Sequence, residues 1–166
     1  MTHLDININK AQVLDALKEV FDPEIPVLSV VDLGIIADVE ITEDGILVRM
    51  TPTFSGCPAL HFIQDNIRTT LIQKLGTSKV EVILDFEASW NSNHISEEGL
   101  KILKKFGLAP PKRYSTELDI DGISDITCPY CDSSNTVMKS AFGSTLCRSI
   151  HYCNECKQSF EQFKPV

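Results

Sequence analysis

The sequence predicts an α/β fold of the α+β kind: a small mixed sheet in α-β-β-α-β order, covered by helices, followed by a metal-held C-terminal ribbon. Three observations carry this. Residues near 10–20 and 58–74 repeat apolar side chains at helical spacing. Residues near 37–41, 46–50 and 80–86 alternate apolar and polar, as half-buried strands do. Two Cys-x-x-Cys pairs, Cys128/Cys131 and Cys153/Cys156, stand near the C-terminus with residues 132–152 between them.

Taken in order, Asn7 or Asn9 caps a first helix running to about Val20, with Val13, Leu14, Leu17 and Phe21 as its apolar stripe. Asp22-Pro23 stops it, because a residue before proline resists the helical conformation. Two prolines in four residues make 22–34 an ordered, extended loop. Ala37–Ile41 and Ile46–Met50 read as antiparallel strands joined at Thr42-Glu43-Asp44-Gly45. A long helix runs from Pro58 to about Lys74, buried along Leu60, Ile63, Ile67 and Leu71 and ended by Gly76. The third strand, Val80–Phe86, follows by a right-handed crossover and pairs in parallel. Ser96 caps a further helix that Gly107 closes, with acids in its first turn and lysines in its last to complement the dipole. The expected organisation is a domain over 1–107, a linker over 108–125 and a ribbon over 126–166.

Each Cys-x-x-Cys turn brings two thiolates to one ion, and two such turns complete a closed tetrahedral shell. A structural zinc site on Cys128, Cys131, Cys153 and Cys156 is the expected cofactor site. Two disulfides, four separately buried cysteines, or iron in a rubredoxin-type site are the competing readings. About 40 residues cannot bury enough apolar surface alone, so the ion is expected to fold the segment.

The 166 residues suit one ordinary domain plus a small module, and 43% apolar with 23% charged is a globular balance. No run of 18 apolar residues exists, so no membrane span is expected. Met1–Lys10 is polar and carries an acid, unlike a secretory leader, and few cysteines beyond the metal set suggest a reducing cytoplasm. Residues 1–125 carry 20 acids and 11 bases, which argues against a phosphate-binding surface and against nucleic acid as partner.

Outside the quartet, Cys57 stands between Gly56 and Pro58 at the start of the long helix. There the dipole would favour thiolate and lower the thiol pKa, although a small buried cysteine is the plainer alternative. Asp22 and Glu24 flank a proline and would suit transient iron if the fold brings them beside Cys57; otherwise they are solvated carboxylates at a helix stop. His61, four residues after Cys57, is a further ligand or a surface histidine. Cys147 either packs under the ribbon or is a secondary thiol that meets a partner, and His151 finds no vacancy in a four-cysteine shell. No triad, phosphate loop or dinucleotide fingerprint is present, so no intrinsic activity is expected.

Asp22-Pro23-Glu24-Ile25-Pro26-Val27 followed by Asp32-Leu33-Gly34 resembles the signature loop of SufT-like iron–sulfur cluster assembly domains. Thr53-Phe54-Ser55-Gly56-Cys57-Pro58 resembles their second motif. With Trp90, Ile95–Gly99, Gly107–Pro111, Phe142-Gly143-Ser144-Thr145, Cys147 and both Cys-x-x-Cys pairs, the resemblance extends nearly end to end to the PaaD (PaaJ) family of the bacterial phenylacetyl-CoA epoxidase system. It implies an accessory or maturation subunit in aerobic phenylacetate breakdown, assisting iron or iron–sulfur cluster loading of oxygenase and reductase partner subunits. A docking subunit and a rubredoxin-like electron-transfer component are the alternatives. By position it implies that Cys57, Asp22 and Glu24 handle iron or a cluster, that Thr53 shapes their loop, and that the quartet holds zinc. One thiolate is too few for a stable cluster, so a second copy of the chain or a partner would supply more ligands.

Overall fold

The computed structural model describes residues 8–113 and 126–165. Helix α1 spans Lys10–Leu17, capped by the Asn9 side chain on the Gln12 N–H with Gln12 answering in a capping box. It ends short of Val20. The Val20 carbonyl accepts the Val30 N–H at 2.9 Å, which draws the chain into extended structure at once.

The stretch expected as loop is a small antiparallel hairpin, a correction to the sequence reading. Strand β1 (Phe21–Asp22) pairs with β2 (Ile25–Ser29), and no further strand joins them among the described residues. Proline is tolerated there because a two-stranded ribbon always has an outward edge. The Asp22 carboxylate accepts the N–H groups of Glu24 (2.7 Å) and Ile25 (3.1 Å), so it shapes the turn that Pro23 begins.

The expected sheet is present. Strand β3 (Ile36–Thr42) runs antiparallel to β4 (Gly45–Met50), and β4 runs parallel to β5 (Val80–Leu84). Phe86 lies beyond the strand and is 61% exposed, so the third strand is shorter than its alternation suggests. Helix α2, Leu60–Leu75, makes the crossover and ends at left-handed Gly76. Its Ile63, Ile67 and Leu71 meet Val13 and Leu17 of α1 and the sheet residues Val48, Met50 and Val82 in one buried cluster. Burial of each such side chain contributes about 1.5–3 kcal/mol.

Helix α3 (Glu97–Phe106) is capped by Ser96, whose hydroxyl accepts the Gly99 N–H at 2.8 Å and donates to Asp32 at 2.7 Å. Asp32 also accepts from Ser29 Oγ at 2.7 Å. The Asp32-Leu33-Gly34 motif is therefore a fastener. Leu33 offers its carbonyl to the Trp90 indole at 3.1 Å, and Gly34 lets the 3-10 turn Ser92–His94 approach. Gly34 has φ +73°, and an added Cβ would stand 2.1 Å from the His94 carbonyl oxygen. Gly34→Ala should cost about 2 kcal/mol or more, from the left-handed conformation and the forced backbone shift. Urea unfolding of the variant measures this.

The expected linker starts as structure. Leu108–Ala109 form β6, which pairs in parallel with β9 (Ser159–Phe163); residues 114–125 of that linker lie outside the described residues. With β7 (Thr136–Ser140) and β8 (Arg148–Cys153) they make a four-stranded sheet in the order β6-β9-β8-β7. The ribbon shares the main core. Leu108 and Phe163 are buried in it, and Phe163 meets Trp90 edge-on with ring centroids 6.0 Å apart. Lys104 of α3 pairs with Asp132 of the ribbon. No helix among the described residues is long and apolar enough to cross a membrane.

Candidate metal centres

The two Cys-x-x-Cys turns are built alike. In the first, Cys128 N–H donates to the Ser133 carbonyl at 2.9 Å and Asp132 N–H to the Cys128 carbonyl at 3.0 Å. In the second, Cys153 N–H donates to the Gln158 carbonyl at 2.9 Å and Lys157 N–H to that of Cys153 at 3.0 Å. The residue after each second cysteine, Asp132 or Lys157, is left-handed at φ 59° or 62°. That kink turns the two sulfurs of each pair toward a common point.

All four sulfurs lie within 4.8 Å of one another, with Cys128–Cys156 at 3.7 Å and Cys131–Cys153 at 3.6 Å. A sulfur tetrahedron at a zinc–sulfur distance of about 2.3 Å has an edge of about 3.8 Å. The quartet therefore fits zinc. The spacing is far beyond a sulfur–sulfur bond of about 2.05 Å, and all six cysteines are free, so the disulfide reading falls. Without a cation the four sulfurs cannot all charge. Burial, and then hydrogen bonding with the other three sulfurs, push Cys156 up to about 12 against the lowering effect of the Gln158 N–H. Cys153 goes the other way: burial opposes its charging, but the Cys156 and Glu155 N–H groups and two neighbouring sulfurs bring it down to about 7. His151 is wholly buried, stacks on Phe160 and hydrogen-bonds Ser149 at 2.9 Å, so it is a core residue.

The remaining two cysteines come together in a second place. Cys57 and Cys147 line one pocket of about 320 Å³ with Glu24, Thr53, Phe54, Pro58 and the loop Phe142–Leu146. Three segments build it: the β1–β2 turn, the Thr53–Pro58 loop, and the loop between β7 and β8. Arg148 locks them. Its guanidinium donates to the Glu24 carbonyl at 2.7 Å, pairs with Glu161 at 2.9 Å and reaches Ser144 Oγ at 3.3 Å. Glu161 accepts the Ser144 N–H as well, at 2.6 Å. The sequence reading missed Arg148. An arginine directly after a lone cysteine, at the start of a segment leading into the second Cys-x-x-Cys pair, was the available signal.

The structure alters the expected chemistry of Cys57. Helix α2 begins at Leu60 with Ala59 as its cap, so Cys57 lies in the preceding turn and not at the cap position. Its thiol is pushed up, not down. Burial is the main cause, the Ala59 N–H opposes it, and Glu24, Asp22 and Cys147 add to it. Cys147 is also raised, chiefly by burial and further by Glu24 and Asp22, against the Thr145 hydroxyl at 3.1 Å and the Arg148 charge. Asp22 is raised by burial, despite its two backbone hydrogen bonds. At neutral pH the pocket thus holds two neutral thiols under carboxylates, an arrangement that a cation would convert to thiolates. Thr53 lines the pocket, whereas exposed His61 does not.

Comparison with known proteins agrees with both halves. Residues 10–84 match the family model "Iron-sulfur cluster assembly protein", and 114–164 match "PaaD zinc beta ribbon domain". The chain is 33% identical over 150 residues to an Escherichia coli protein named as a component of "Putative 1,2-phenylacetyl-CoA epoxidase", covering 90% of this chain and 89% of that one. It is 42% identical over 85 residues to an Fe-S protein maturation auxiliary factor of Porphyromonas gingivalis, covering 51% and 80%. A crystal structure of a domain of unknown function from Bacillus anthracis superposes with a TM-score of 0.53 at 26% identity, covering 56% of this chain and 89% of that one. The quartet is thus a zinc ribbon, and the iron reading of that site loses to zinc.

Proposed function

Because the chain belongs to the PaaD family of phenylacetyl-CoA epoxidase components, we propose that it is an accessory subunit that matures the epoxidase. It assists iron or iron–sulfur cluster loading of the oxygenase and reductase subunits and has no turnover of its own. The observation that carries this reading is the pocket that Cys57 lines together with Glu24, apart from the zinc quartet and within reach of the Asp22 charge. Soft sulfur next to hard carboxylate suits iron held in passage. The raised thiol pKa values favour release, since cargo must displace protons to bind and regains competition from them on leaving. The rim supports delivery to a protein: Phe54, Phe142 and Leu146 are 38%, 69% and 50% exposed around the opening, large apolar side chains that a docking partner would cover.

The test is Cys57→Ser in a strain that makes the whole epoxidase system. Expected are unchanged zinc content and folding of this protein, with iron or cluster content of the oxygenase and reductase reduced at least tenfold. Fully loaded partners in that strain would eliminate the maturation role and leave docking as the function.

A further inference from the structure

Resting on the maturation reading, we infer that Cys147 is a second cargo ligand, so that the ion is held by a thiolate pair, Cys57 from the assembly domain and Cys147 from the zinc ribbon. The two cysteines line one pocket although 89 residues lie between them in sequence. Glu24 and Asp22 push both thiols up, and Cys147 pushes Cys57 up as well. Cys147 is not adrift on its loop. Its carbonyl accepts the Lys164 N–H at 2.8 Å, and its neighbour Arg148 is bound to the Glu24 carbonyl and to Glu161. The ribbon therefore delivers this thiol to a fixed place, and its zinc serves the cargo site by holding the sheet that carries Cys147.

Two thiols leave a four-coordinate ion with open positions. Among the described residues, a closed group of three or more ligating side chains occurs at the zinc quartet and not in this pocket. Openness suits a carrier, because the recipient's ligands can enter before the carrier's leave. Coordination changes no oxidation state: a divalent ion replaces the proton of each thiol, and two protons go to solvent.

Cobalt(II) is a suitable probe for the zinc-loaded full chain without oxygen, since it binds thiolates with a charge-transfer absorption and stands below zinc in affinity for the quartet. Wild type should take up one cobalt, with zinc retained at one per chain. Cys57→Ser and Cys147→Ser should each weaken binding at least tenfold and lower the sulfur-to-cobalt band, and the double variant should abolish it. Between pH 7 and 8 wild-type affinity should rise about 100-fold per pH unit, for two protons, and that of each single variant about tenfold. Asp22 and Glu24 of the hairpin and Arg148 of β8 are the charged groups facing the pair, and all are kept in every variant. If Cys147→Ser binds like wild type while Cys57→Ser does not, this inference fails and the maturation reading stands. If cobalt binding ignores both cysteines, the maturation reading fails with it. Should Cys147→Ser lose zinc, Cys147→Ala and the wild-type pH slope decide: a single-proton slope overturns the pair.

Discussion

Replacing Cys153 by serine should empty the ribbon of zinc and unfold it. Cys153 is wholly buried, and its loss removes one corner of the tetrahedron. Structural zinc contributes about 10–16 kcal/mol in peptides of this kind. That equals or exceeds the stability of an ordinary domain, about 5–15 kcal/mol, so the four-stranded sheet has no reserve to stand on without the ion. The damage should reach the main domain. Phe163 and Leu108 belong to its core, and Phe163 lies against Trp90. The chain has a single tryptophan, 7% exposed, so its fluorescence reports the surroundings of Trp90, which include Phe163 and the Leu33 carbonyl. Zinc per chain should fall from one to near zero, with Trp90 emission shifting to the red. An unshifted emission in zinc-free protein would mean that the ribbon docks without its metal.

The second large effect is at Arg148. Arg148→Met keeps the length of the chain but removes the charge from a group 10% exposed, stranding Glu161, which is 25% exposed. Breaking a buried pair costs about 3–5 kcal/mol, and the partial exposure of Glu161 places this case near the lower figure. The same substitution releases the Glu24 carbonyl and Ser144, so the pocket wall should loosen and Cys147 should react faster with a thiol reagent. The pH dependence has a definite sign. Burial alone would raise the Glu161 carboxyl, but the Ser144 N–H, the Arg148 guanidinium and the Ser144 hydroxyl together hold it below its usual 4.5. A depressed carboxyl stabilises the fold above its unfolded value and loses that contribution as pH falls through the folded value. The stability gap between wild type and Arg148→Met should therefore be full at pH 6 and narrow below pH 4.5. Comparing the two proteins cancels the acid release of zinc common to both. A gap that does not change with pH would assign the loss to packing of the arginine stem.

What the residues revealed and what they hid divides along sequence distance. The helices, the hairpin at Asp44-Gly45, the Gly76 and Gly107 caps and the paired cysteine turns are local patterns, each read from a few neighbours. The β1–β2 hairpin was hidden because its two prolines suit both a loop and an edge strand, and the pairing of Phe21 with Ser29, extended by the Val20–Val30 hydrogen bond, is what separates the two. Strand β6 was hidden because two residues before Pro110 have no period, and β9, which pairs with them, lies more than 50 residues on. Cys57 was legible as a special residue by its glycine and proline neighbours. Its thiol pKa goes up rather than down because tertiary burial dominates, with Glu24, Asp22 and Cys147 adding to it from afar, and because the helix starts later than the proline suggests. The meeting of Cys57 with Cys147 is a tertiary fact with no local sign.

The pairing of β6 with β9 fixes the order in which a newly made chain can mature. While a ribosome has not yet released Ser159–Phe163, β6 lacks its neighbour and the Trp90 side of the core lacks Phe163. The loop carrying Cys147 is then unanchored too, because Lys164 supplies its backbone tie and Glu161 holds Arg148. A nascent chain thus exposes Cys57 well before Cys147 and its loop can close the far wall of the pocket.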